Sequence, residues 1–328
     1  MITKPLLREN QFLRLLFQEA VSAAKPENFI SKNLPQPTNG KTVVVGCGKA
    51  AATMAACLEK EWVGDLSGVV VTMYGHTVPT KHIIVREAGH PVPDENGLAA
   101  AKEILNLASS LKKNDLMIFL VSGGGSALLP LPPKGISLDE KRGVNTQLLR
   151  SGADIFEMNN VRKHLSGIKG GRLAIAAYPA KVVTLALSDI PGDDPAIIAS
   201  GPTVPDLSTS LDAIQILNKY QIKVSRNIMR HLKSNSSETP KPDDPKFTGN
   251  EIKVIATPQK SLDAAADFSK KESISPIILS NQICGESREV ALVHGAIAKQ
   301  IQKYNQPISP PCVILSGGET TVTLKGNG

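Results

Sequence analysis

The sequence predicts an α/β protein: a doubly wound, mostly parallel sheet with a second, incomplete α/β unit after it. Three observations carry this. Apolar runs of strand length alternate with amphipathic runs of helix length. Several strand runs are continuously apolar and rich in Val and Ile, as strands are when helices cover both faces of a parallel sheet. The alternation breaks once, at the polar, proline-rich stretch SNSSETPKPDDPKFT (234–248), and then resumes. At 328 residues, and about 150 per domain, two domains are expected.

In chain order, LRENQFLRLLFQEAVSAA places apolar residues at helical spacing with both charge signs, which predicts an amphipathic helix rather than a secretory leader. Strands follow at 42–46 (TVVVG), 67–73, 83–87, 116–122 (LMIFLVS) and 181–188 (KVVTLALS), with helices at 49–62 and 98–111 between them. Beyond the proline-rich stretch come strands at 253–257, 275–280 and 312–316, and helices near 259–271 and 286–303. The expected domains are 1–240 and 248–328, with the N-terminal helix a candidate to pack on the second. That second unit stops on a strand edge, so its pattern reads as cut short.

Composition narrows the function. Aromatics are only 4%, so base-stacking platforms are not expected. The net charge of +7 suits an anionic partner, yet no Lys/Arg run exceeds two residues, which favours a small anion over nucleic acid. Cys47, Cys57, Cys284 and Cys312 form no CxxC pair, so a zinc site is not expected and free thiols in a reducing cytoplasm are. No apolar run is long enough to span a bilayer.

Ligands of open α/β sheets bind at the carboxyl ends of strands, and four Gly-, Ser- or Asp-bearing stretches define the candidate site. In VVVGCGKAAA, Gly46 and Gly48 loosely match a dinucleotide fingerprint, but the second strand ends VVVTMYGH without the acid that would hold a ribose. Lys49 there adds a charge where a helix start already favours anions. In LVSGGGSALL, Gly123, Gly124 and Gly125 leave Ser122, Ser126 and backbone N–H groups to wrap an oxyanion; it is neither a Walker loop nor a nucleophile elbow. In LSDIPGDDPAIIASGPT, Asp189 follows a buried strand and could hold Mg²⁺ or act as base toward a hydroxyl. Asp193 and Asp194 are metal ligands or solvated turn residues, and Ser200 and Thr203 are candidate anion donors. In NNVRKHLSGIKGGRLA, Arg162 could fork a carboxylate, and Lys169 before Gly170 is placed for phosphate or carboxylate. Lys163 and Arg172 read as a basic helical face and His164 as a helix residue, while His90 in EAGHPVPDENG is either functional or structural. The phrase SGG recurs near the end, LSGGETTVTLKGNG, and reads as a second anion-binding turn.

Together GCGKAA, EAGHPVPDENG, SGGGSALLP, NNVRKHLSGIKGGRLA, SDIPGDDPAIIASGPT and SGGETTVTLKGNG resemble the glycerate 2-kinases of the MOFRL-domain family, some members of which are labelled hydroxypyruvate reductase. The resemblance runs from about residue 12 to the end. It implies a Rossmann-like domain, a second MOFRL-type α/β domain and an active site in the cleft between them. It also implies ATP- and Mg²⁺-dependent phosphorylation of the 2-hydroxyl of D-glycerate. It makes Lys49 the first catalytic candidate, for the transferring phosphoryl or the substrate carboxylate, with Asp189 for Mg²⁺ or base work and Glu319 for metal or hydroxyl contact. The expected partners are D-glycerate and ATP, with no nucleic acid and no membrane, and a homo-oligomer left open. In the family, text like KGNG continues into a GRGGRNQE-like stretch that brings an arginine to the site. This sequence lacks that stretch, as a fragment, a shortened gene product or a protein that has lost the activity would, and an inactive truncated remnant is one alternative to the kinase. An NAD(P)H-dependent hydroxypyruvate reductase is the other alternative.

Overall fold

The computed structural model describes residues 9–323. The chain divides into two compact units, one formed by residues 29–188 and 194–255, the other by residues up to 28, 189–193 and from 256 onward.

Helix α1 (Glu9–Ser22) opens the described chain and belongs with the smaller unit. The larger unit starts with α2 (Ile30–Asn33), β1 (Thr42–Cys47), α3 (Ala51–Glu61), β2 (Leu66–Met73), β3 (Ile83–Ala88), α4 (Glu95–Ser109) and β4 (Leu116–Val121). It continues through α5 (Gly125–Leu128), α6 (Leu138–Ser151), α7 (Ile155–His164), α8 (Arg172–Ala177), β5 (Lys181–Leu187), α9 (Ser210–Lys219), α10 (Arg226–Leu232) and β6 (Glu251–Ala256). The six strands lie in the order β3-β2-β1-β4-β5-β6, and the pairs β1–β2, β1–β4, β2–β3 and β4–β5 are parallel. The order reverses between β1 and β4. Their carboxyl ends therefore flank the crevice where doubly wound sheets take ligands.

Continuous burial of β1 and β4 explains their unbroken apolar runs. Val44, Val70, Ile118, Leu120 and Leu185 from the sheet pack with Met54 and Leu58 of α3. A separate helical core joins α6, α7, α9 and α10 through Val144, Leu148, Val161, Leu165, Leu217 and Ile228. Helices α6 and α7 are capped in sequence: Ser137 with Glu140 opens α6, and Asp154 with Glu157 opens α7, each as a reciprocal capping box.

Two expectations about organisation change. The strand read as the start of a second domain, β6, instead closes the edge of the first sheet beside β5, so the division falls after residue 255 rather than at 240–248. The proline-rich stretch is a strap rather than a free linker. Ser237 and Thr239 are buried in it, and the carbonyls of Ser237 and Glu238 accept from Arg172 at 2.8 and 3.0 Å.

The smaller unit holds α1, α11 (Pro258–Lys271), β7 (Ser275–Glu286), α12 (Ser287–Tyr304) and β8 (Cys312–Thr321). Phe12 of α1 stacks on Phe268 of α11 at 5.9 Å. β7 and β8 form a two-stranded parallel sheet. The second SGG is not a turn: it lies inside β8, with register shifts near Ser280 and Ile283 on β7. A Cβ at Gly318 would meet Ile283 O at 2.1 Å, and its φ is +142°, so the glycine serves close backbone approach at an irregular ladder. Residues 324–328 of that motif lie outside the described residues.

Candidate active site

The β1 and β4 turns interlock. The Lys49 N–H donates to Gly123 O at 2.8 Å, and the Ala50 N–H donates to Ser122 Oγ at 3.0 Å. Gly48, at φ +130°, permits this contact, because a Cβ there would lie 2.2 Å from Ser122 Oγ. Gly46 sits within β1, where a Cβ would lie 2.5 Å from Leu120 O. Gly125 gives room to Ala199 and Cys47, and Gly170 donates its N–H to Ser200 O at 3.1 Å. Gly46, Gly48, Ser122, Gly125 and Gly170 thus shape the site, and their groups are spent on the protein rather than presented to a ligand.

What remains open is compact. Among the described residues, the N–H groups of Gly123 and Gly124 have no hydrogen-bond partner. Gly124 is left-handed at φ +81°, and a Cβ on it would lie 3.0 Å from the His90 ring and 3.3 Å from Lys49 Cε. Lys49 is exposed. Successive free N–H groups at a glycine in this conformation make an anion-binding nest, here flanked by an ammonium and an imidazole. Where a ribose-binding acid would stand at the end of β2, Thr72 instead donates to Lys49 O at 3.3 Å.

The nest opens on a cavity of about 210 Å³ lined by His90, Gly124, Ser126, Lys141, Arg162 and Lys169 among others, with no carboxylate in its lining. Asn145 orients Arg162, whose Nε donates to Asn145 Oδ1 at 2.8 Å. Lys169 is 1% exposed, and its ammonium donates to Ser126 O at 3.1 Å and Leu129 O at 3.0 Å. Burial pushes Lys169 down to about 8, and the charge of Arg162 acts in the same direction. Ser126 Oγ lies 2.7 Å from Ser200 Oγ, which lies 2.8 Å from Asn159 Oδ1.

The ASGPT segment braces the site from behind. Ala199, Ser200 and Gly201 are left-handed in succession, at φ 51°, 62° and 59°. Such strain persists only when over-determined. Here Gly171 and Leu173 donate to Gly201 O and Pro202 O at 2.8 and 3.0 Å. Ser200 is fully buried, and Thr203 pairs with Thr184 at 2.7 Å, so neither is an exposed anion donor.

The expected basic helical face is likewise internal. Lys163 is buried against Asp206 at 3.1 Å, Arg172 clamps the strap, and the fully buried His164 makes a 3.0 Å bond between Nδ1 and Ser237 O. Asp189, Asp193 and Glu319 belong to the smaller unit. Asp189 is exposed just after β5, Asp193 is held at φ 54°, and Glu319 is exposed on β8 opposite Cys284. Asp193 Oδ1 is buried without a hydrogen-bond partner. Sequence reasoning missed Lys141, Asn145 and Asn159. The i, i+4 spacing of Lys141, Asn145 and Leu149 was the one available signal, since it sets them on one helix face.

Fold and site together define a doubly wound α/β protein with free backbone N–H groups and cations gathered at its topological switch point. Residues 12–233 match the family model described as "Domain of unknown function (DUF4147)". The chain is 41% identical to the D-glycerate 2-kinase of Thermotoga maritima over 315 residues, covering 95% of this chain and 74% of that protein. It is 48% identical over 315 residues to an Agrobacterium vitis protein named "Putative hydroxypyruvate reductase", covering 96% and 71%. The crystal structure of Thermotoga maritima glycerate kinase superposes with a TM-score of 0.85 at 39% identity, covering 97% of this chain and 76% of that one. The chain belongs to the glycerate 2-kinase family. Among the described residues, no helix is long and apolar enough to cross a membrane.

Proposed function

We propose that the protein transfers the γ-phosphoryl group of ATP to the 2-hydroxyl of D-glycerate, giving 2-phosphoglycerate and ADP. The observation that carries this reading is the nest of Gly123 and Gly124, with two free N–H groups beside Lys49, opening on a cation-lined cavity. Phosphoryl transfer asks a protein for positioning and charge stabilisation more than for covalent chemistry. In this reading the nest and Lys49 hold the phosphoryl oxygens. Arg162, already oriented by Asn145, leaves its terminal N–H groups for the acid's carboxylate. The family relationship and the absence of a ribose-binding acid at Thr72 favour the kinase over the reductase name.

Asp189 and Asp193 suit Mg²⁺, on the strength of the partnerless buried Oδ1 of Asp193. Among the described residues there is no cluster of three ligating side chains, which fits an ion that takes one or two carboxylates and completes its shell with water and phosphate oxygens. When bound, Mg²⁺ would neutralise phosphate charge. Glu319 stays a candidate for hydroxyl or metal contact. None of the four cysteines is in a disulfide among the described residues, which suits a reducing compartment, and we infer the cytoplasm.

The deciding experiment is ADP and 2-phosphoglycerate formation from ATP, Mg²⁺ and D-glycerate. Lys49→Ala should lower kcat about 10²–10³-fold, as loss of an oxyanion donor does. Unchanged turnover in that variant would remove Lys49 from the reaction. NADH oxidation with hydroxypyruvate, and no ADP, would overturn the kinase reading.

A further inference from the structure

We propose that Lys141 is an anion-binding residue of the cavity and that the anion it takes is a small carboxylate. The proposal deepens the reading above, in which this cavity takes the substrate's acid group.

Lys141 is 9% exposed, on the inner face of α6. Its Nζ donates to Leu165 O, its one hydrogen-bond partner among the described residues, so the rest of the amine is uncommitted. Lys169 and Arg162 share the cavity lining with it. None of the three forms an ion pair among the described residues. Buried lysines and arginines are rare unless paired, and three around one small cavity are short of a counter-ion. Val144, Leu148, Val161 and Leu165 line the same space, and their low polarity strengthens any charge interaction made there.

The charges nearest Lys141 are cationic. On α6, Glu140 is engaged by Ser137 and Ser225, and Arg142 by Asp139 and Pro93 O. α7 brings Arg162, the loop after it brings Lys169, α8 brings Arg172, α10 brings the imidazole of His231, and the loop before α4 brings that of His90. Asp206 is committed to Lys163. Burial first, then Lys169, Arg162 and Arg172, hold Lys141 well below the ordinary lysine range. Lys169 sits at about 8. An anion offsets the repulsion among these cations and favours the charged amines, so affinity is expected to fall as pH rises.

The test is calorimetric titration of the chain, without nucleotide, in buffers of different ionisation enthalpy. D-Glycerate is the first titrant and inorganic phosphate the second. Net proton uptake is expected, with affinity falling toward about tenfold per pH unit for each proton linked. Lys141→Met keeps the volume and removes the amine. It should weaken binding by at least about tenfold, as loss of a charged hydrogen bond does, and reduce the uptake, while melting no lower than the parent. A merely structural Lys141 would show the opposite: a lower Tm with affinity and uptake unchanged. That result, or no binding of either anion, overturns the proposal. Anion binding that Lys141→Met weakens, without phosphoryl transfer, supports it and counts against the kinase reading alone.

Discussion

Gly124→Ala separates the nest's chemistry from its scaffolding. The added Cβ would sit 3.0 Å from the His90 ring and 3.3 Å from Lys49 Cε, in the space assigned to an oxyanion. Two costs can be distinguished. The backbone cost is that of an L-residue at φ +81°, about 1–2 kcal/mol. The His90 contact is tight, but it is made with a ring at the cavity mouth rather than with backbone, so a small shift relieves it. The expected stability loss is therefore about 1–2 kcal/mol, a fall of a few degrees in Tm. The chemical cost is larger. Covering two free N–H groups removes donors that act on the transferring phosphoryl, worth about 10²–10³ in kcat. Thermal melts and ADP release, measured side by side, should show a nearly intact fold with turnover down about a hundredfold or more. Turnover within a few-fold of the parent would refute the nest as the phosphoryl site, whatever the melt shows.

Other substitutions probe the frame. Gly318→Ala should loosen the β7–β8 ladder, because its Cβ has no room beside Ile283 O. Faster amide exchange across residues 283–321 is expected, and unchanged protection would show the ladder tolerates the methyl. Asp206→Asn leaves Lys163 buried without its counter-charge and should cost about 3–5 kcal/mol in urea unfolding. Although burial pushes Asp206 up, Lys163 and the Ser208 hydroxyl hold its carboxyl below the ordinary range. Its stabilisation is therefore complete above about pH 3.9 and lost as pH falls through the folded value; the Asn variant should lack that acid limb. Burial also depresses His164, so a separate loss should begin below about pH 6.5, where the unfolded imidazole takes a proton that the folded one refuses. A flat urea midpoint between pH 7 and 5 would contradict it.

The parallel sheet was legible because burial on both faces leaves unbroken runs such as LMIFLV, and strand existence needs no long-range knowledge. The Gly-rich turns at the carboxyl ends of β1 and β4 were legible too, but not that these two strands are neighbours where the order reverses, which only the sheet shows. The partition of labour within those turns was not. Nothing local distinguishes Gly48, which makes room for Ser122, from Gly124, which opens the nest, because the difference lies in what stands opposite each glycine. Lys163 and Arg172 looked like a solvated face, since their partners, Asp206 and the strap carbonyls, lie more than forty residues away in sequence. The second SGG misled by its likeness to the first. A glycine pair after an apolar run ends a strand or bends it, and only the facing strand β7 decides. Lys141 escaped because a Lys-Arg pair in a polar helix segment reads as surface until α7 is packed against it.

The chain of hydroxyls behind the nest has a direction. Asn159 Oδ1 can only accept, so the proton of Ser200 points to it. Ser126 must then give its own proton to Ser200, and what faces outward from Ser126 is lone pairs. Ser126 therefore offers the cavity an acceptor among cationic donors. In the proposed reading, an acid that also carries a hydroxyl would satisfy both, where a bare anion would satisfy only the donors. The buried amide of Asn159 thus sets polarity at a surface it never touches.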